Sequence, residues 1–110
     1  MEYQHKNLAG ERWNALTFFE QMANVGSEVE RSLKWKEKGN SEYSRLAFER
    51  ALELLDFTIV DPKNKKRLRE LVRVREALAD YFAFENEYHS SKESWQKYFY
   101  AFNWAARVVL

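Results

Sequence analysis

The sequence predicts an all-α protein: one domain over residues 1–110, folded as an antiparallel up-and-down four-helix bundle. Three observations lead there. Proline occurs once and glycine three times in 110 residues, and neither is well tolerated inside a helix. Turn-forming residues are too sparse for a sandwich or barrel. Apolar residues recur at helical spacing in four stretches divided by short polar breaks, and short connections join antiparallel neighbours.

The first helix is expected from Asn7 to Lys38. Asn7 serves as its N-cap, and Gly39 sits where a left-handed residue closes a helix. Leu8, Ala15, Phe19, Met22, Val25, Val29 and Leu33 form its apolar stripe. Gly26 lies in that stripe beside Ala23. A mid-helix glycine costs about 1 kcal/mol relative to alanine, so a neighbouring helix is expected to approach closely there.

The second helix starts at Asn40 or Ser41 and ends before Pro62. Ala47, Phe48, Ala51, Leu54, Leu55, Thr58 and Ile59 point to the core, and Glu49, Glu53 and Asp56 form a solvated acidic face. Asp61-Pro62 then opens the third helix, because Asp caps and proline at the first position forfeits no hydrogen bond. Leu68, Leu71, Val72, Leu78, Ala79 and Phe82 are its inward residues. Residues 85–90 break the pattern. Ser90 and Glu93 have the spacing of a capping box that opens the fourth helix, with Trp95, Phe99, Phe102 and Ala106 inward.

Helix four carries more apolar surface than one buried side requires. With Phe99 at the centre of its core face, Tyr100 and Trp104 fall about 100–140° away, and Val108 lies near the far side. Trp13 and Trp35 stand off the first helix's stripe, as Leu46 and Phe57 do on the second. Contiguous exposed apolar patches mark interfaces, and Trp and Tyr are enriched at their centres. Trp13, Trp35, Tyr100, Trp104 and Val108 are therefore the candidate interface, with helix four foremost.

Helix three opens with a run of Lys and Arg, which opposes the helix macrodipole. Lys63, Lys66, Arg69 and Arg73 form a candidate phosphate-contacting stripe. The competing expectation is that the acidic face of the second helix neutralises it. Arg75 falls among Leu71, Val74 and Leu78, so it should be at least partly buried, and a glutamate on another helix is its expected partner.

The residues argue against an enzyme. Cysteine is absent, which removes disulfides, thiolate ligands and thiol nucleophiles. His89 does not follow a glutamate by three, and Glu2-x-x-His5 stands alone where bundle di-iron sites require two such motifs; Glu85 with His89 is only two ligands. No serine sits in a Gly-x-Ser-x-Gly turn, and Gly10, Gly26 and Gly39 are too dispersed to cradle phosphate. No cofactor or metal is expected. The amino terminus lacks a signal-peptide core and no segment reaches the roughly 18 apolar residues of a membrane span; the expected address is the cytoplasm, with no membrane contact.

Residues Gln21-Met22-Ala23-Asn24-Val25-Gly26-Ser27-Glu28-Val29-Glu30-Arg31, then Gly39-Asn40-Ser41-Glu42-Tyr43 leading to Ala47 and Arg50-Ala51-Leu52-Glu53, resemble the four-helix-bundle proteins of the ribosomal-RNA intervening-sequence family. That family includes the accessory protein of diversity-generating retroelements. The likeness covers about residues 20–55. The distance from glutamine to the closing glycine is longer here and the net charge is only +1, so no functional residue is carried across. The resemblance implies a ring-like homo-oligomer whose basic surfaces meet nucleic acid or a reverse transcriptase. From the residues themselves, the first expectation is a non-enzymatic scaffold or accessory bundle that self-associates, or docks a protein partner, through its aromatic face. The alternative is a nucleic-acid-binding bundle using the basic stripe.

Overall fold

Four long helices follow from four stretches that each bury one apolar side. The computed structural model describes residues 11–108. Among these residues the fold is all-helical: α1 (Glu11–Asn14), α2 (Phe18–Glu37), α3 (Ser41–Val60), a 3-10 helix (Pro62–Arg67), α4 (Leu68–Ala83) and α5 (Lys92–Val108). The arrangement of α2 to α5 is compatible with a four-helix bundle. No described helix is long and apolar enough to cross a membrane.

The expected first helix is interrupted. Asn7 and Leu8 lie outside the described residues, and the chain turns at 15–17 before α2 begins. The start of α2 is a capping box: Thr17 Oγ1 accepts the Glu20 N–H at 3.1 Å, and Glu20 accepts the Thr17 N–H at 2.9 Å. This satisfies two donors that a helix terminus leaves orphaned. The break resets the helical phase, so Ala15 is exposed while Met22, Val25, Val29 and Leu33 are buried as expected. Gly39, at φ 79°, closes α2 in the left-handed conformation that favours glycine.

Asn40 caps α3 by accepting the Tyr43 N–H. This helix touches α1, α2, the 3-10 segment and α4, so it is buried over a wide arc. Phe57 is therefore core rather than off-stripe surface. Glu53, expected on a solvated face, is only 2% exposed. Asp61 caps the 3-10 turn that Pro62 opens. In α4, Leu71, Val74 and Leu78 are buried, but Leu68 and Val72, expected inward, are exposed. At 100° per residue, Leu68 and Val72 fall on one flank of the face that Leu71, Val74 and Leu78 bury.

α5 begins one residue later than the Ser90/Glu93 pairing suggests. Ser91 Oγ accepts the Ser94 N–H and Ser94 Oγ accepts the Ser91 N–H, so the reciprocal box is Ser91/Ser94. The preceding loop is held by buried Asp80, which accepts the N–H groups of Glu87 and Tyr88. α5 then packs against α2, and the contact is closest at Gly26. A Cβ placed on Gly26 would lie 2.8 Å from Phe99 Cβ, which is the close approach the mid-helix glycine foretold.

Two polar assemblies lock the core. Ser32 on α2 and Ser44 on α3 exchange hydrogen bonds with each other's carbonyls at 2.8 and 2.9 Å. A larger network joins α1, α2, α3 and the 3-10 segment through Gln21. Its amide donates to the Trp13 carbonyl and to Asp61, and its carbonyl accepts from Asn64. Asn64 also donates to the Thr58 carbonyl, and Trp13 Nε1 donates to Thr58 Oγ1 at 3.1 Å.

Candidate functional site

The cationic run lines one side of a groove between α4 and α5. Its volume is about 1000 Å³. Lys63, Lys66, Arg67, Arg69 and Arg73 contribute from the 3-10 helix and α4, with Glu70 as the single carboxylate among the lining residues. Val74 and Ala77 supply apolar surface, and Ser90, Ser94, Trp95 and Tyr98 lie on the α5 side. All four stripe residues named from sequence thus reach one concavity.

The backbone explains this placement. Asp61 starts a tight turn in which the cations succeed each other at every position but Pro62 and Asn64. Asn64 turns inward to the Gln21 network, leaving the lysines exposed. Lys63 is held by Asp61 and donates to the Asn14 carbonyl at 3.0 Å. Arg67 lies 4.2 Å from the centre of the Phe18 ring, a cation–π contact, and only 3.9 Å from Glu70. Lys66, Arg69 and Arg73 have no ion-pair partner among the described residues.

The acidic face of α3 does not neutralise them. Glu49 pairs with Arg45 on its own helix, and Asp56 takes the half-buried Arg75 through two contacts of 2.7 and 3.3 Å. Arg75 thus has its partner on another helix, an aspartate where a glutamate was expected. A hydrogen bond crosses the groove from the Tyr98 hydroxyl to Glu70 at 2.9 Å. Burial, and then this bond to a carboxylate, push the Tyr98 hydroxyl pKa well up, so it remains a donor at neutral pH. Trp95 is 7% exposed, and its buried indole N–H has no hydrogen-bond partner among the described residues.

The aromatic candidates divide. Trp13 is core, 7% exposed, because the turn after α1 folds its indole onto α3. Trp35 is half-buried, in edge contact with Tyr43 and beneath Lys38. Tyr100, Trp104 and Val108 are exposed by 66, 58 and 54% and form a single row on α5. Beside Tyr100 runs a second groove, of about 450 Å³, lined on α2 by Ala23, Gly26 and Ser27. Glu85 and His89 are exposed loop residues, and no cluster of three His, Cys, Asp or Glu side chains among the described residues could hold a metal.

No protein-family model, curated protein or solved structure matches the chain.

Proposed function

We propose that the protein is a non-enzymatic nucleic-acid-binding module. In this reading it is an up-and-down antiparallel four-helix bundle that grips a phosphate backbone along the cationic wall between α4 and α5. The observation that carries it is that Lys66, Arg69 and Arg73, without an ion-pair partner among the described residues, share a concave groove with Lys63 and Arg67. Cations near a helix start oppose the dipole, so helix stability does not account for them. A concave, low-dielectric surface lined by one sign of charge focuses potential outward. Phosphates meeting it release counterions, which gives affinity that falls steeply with salt.

Arg69→Glu/Arg73→Glu tests this. The double variant is expected to bind a labelled oligonucleotide about 10- to 100-fold more weakly at about 0.1 M salt. Its unfolding midpoint should stay close to the parent's, since neither arginine is ion-paired among the described residues. Binding that ignores both salt and these charges would contradict the proposal.

The exposed row Tyr100, Trp104 and Val108 favours a second reading, self-association through α5 in an accessory assembly. Aromatic ridges beside small-residue troughs suit a self-complementary contact. Solution mass at high micromolar concentration tests it: a dimer or larger ring is expected, and a strict monomer ends this reading.

A further inference from the structure

We propose that the groove takes a single nucleic-acid strand in preference to a duplex, with phosphates on the α4 side and bases against α5. This rests on the phosphate-binding reading above and adds the form of the ligand. The two walls of the groove differ in kind. All five of its cations come from the 3-10 helix and α4, and α5 contributes hydroxyl and aromatic side chains without charge. A single strand has the same asymmetry, an anionic edge and an uncharged edge whose bases stack on aromatic rings. A duplex turns its bases inward and carries phosphates on both flanks. Seated in this groove, a duplex would set one of its backbones against the uncharged wall.

The remaining chemistry of the α5 wall fits exposed bases. Half-buried Tyr98 offers surface for a base face, and the apolar atoms of Val74 and Ala77 adjoin it from α4. Ser94 is exposed there. The cationic row from Lys63 to Arg73 runs roughly 17 Å by helical rise, a length suited to a short stretch of strand.

Fluorescence anisotropy with the full chain separates the outcomes. The probes are a labelled oligothymidylate of about twelve nucleotides, within the usual range of single-strand sites, and a duplex of equal length. The strand is expected to bind at least about tenfold more tightly, with log affinity falling by about 0.7 per phosphate contact against log salt. Equal or tighter duplex binding overturns the strand preference and leaves phosphate binding standing. Failure of both probes overturns both. Displacement of the strand by polyglutamate at comparable charge concentration overturns it too, because the groove would then accept any acidic chain. Ser94→Glu places a carboxylate on the α5 wall while keeping the helix cap, since glutamate suits that third position. Its strand affinity should fall about tenfold with the unfolding midpoint unchanged; unchanged affinity would overturn the placement of bases on α5.

Discussion

Gly26→Leu is expected to cost the protein more than about 3 kcal/mol, lowering its melting midpoint by over about 12 °C. Gly26→Ala should cost less, because about 1 kcal/mol of helix propensity offsets the overlap. The reason is geometric. An added Cβ at Gly26 meets Phe99 Cβ at 2.8 Å and Phe99 Cγ at 3.0 Å. The nearest atom is attached directly to the α5 backbone, so no rotation of the Phe99 ring removes the clash. The two helices must separate instead, and interiors packed at crystal density resist that. Phe99→Leu keeps both atoms and should therefore fail to rescue Gly26→Ala. Thermal unfolding followed by circular dichroism checks each variant, and a Gly26→Leu midpoint within a few degrees of the parent would refute the close packing of α2 on α5.

Gln21→Leu is expected to cost about 2–4 kcal/mol. Gln21 is fully buried and serves three partners at once, the Trp13 carbonyl, Asp61 and Asn64. Leucine fills similar space but leaves one buried N–H of the Asn64 amide without its acceptor, and the Trp13 carbonyl and the Asp61 carboxylate with one donor fewer each. A buried group left unsatisfied loses its full desolvation energy, which exceeds the net worth of an ordinary hydrogen bond. Chemical denaturation at neutral pH measures the loss, and a cost under about 1 kcal/mol would show that the network is not rigid.

The same network has a pH signature. Burial raises the Asp61 carboxyl pKa, but bonds from the Lys63 ammonium, the Gln21 amide and the Lys63 N–H, with the Lys63 charge, outweigh it and hold the pKa below the ordinary carboxylate range. A depressed folded-state pKa contributes stability above the unfolded value, near 3.9, and that contribution is lost as pH falls through the folded one. The parent's stability should therefore drop on acidification through this window. Gln21→Leu removes one of the bonds that depress the pKa, so its deficit should narrow below about pH 4.

Much of this architecture is legible in residue order. Asp61-Pro62, Gly39 and Asn40 mark helix boundaries through local backbone chemistry, which needs no knowledge of the partner helices. Gly26 announces a close contact through its cost alone. The stripe of Lys63, Lys66, Arg69 and Arg73 is also visible, because a run of cations stays on the surface whichever helix winding carries it. The errors arise where the phase is reset. Trp13 projects outward from one helix running from residue 7, yet the turn before Thr17 swings it into the core, and the Thr17/Glu20 pair carries that signal. Leu68 and Val72 are misplaced for another reason: they flank the narrow face of α4 that Leu71, Val74 and Leu78 bury. Glu53 and Phe57 are misplaced by periodicity because the number of neighbours around α3 is a tertiary fact. The groove depends on how α4 and α5 are held apart, which periodicity does not encode.

The 3-10 helix at Pro62–Arg67 has an effect on field geometry. With three residues per turn, side chains at i and i+3 eclipse, whereas α-winding would fan them apart by about 60°. Lys63 and Lys66 are thus stacked along one line by the pitch of the backbone, and Arg69 succeeds them at the start of α4. Concentrating like charge on a line raises the self-repulsion of the unliganded surface. An anion bound as proposed would relieve that repulsion, and the tight turn started by a single proline is what aligns the two lysines.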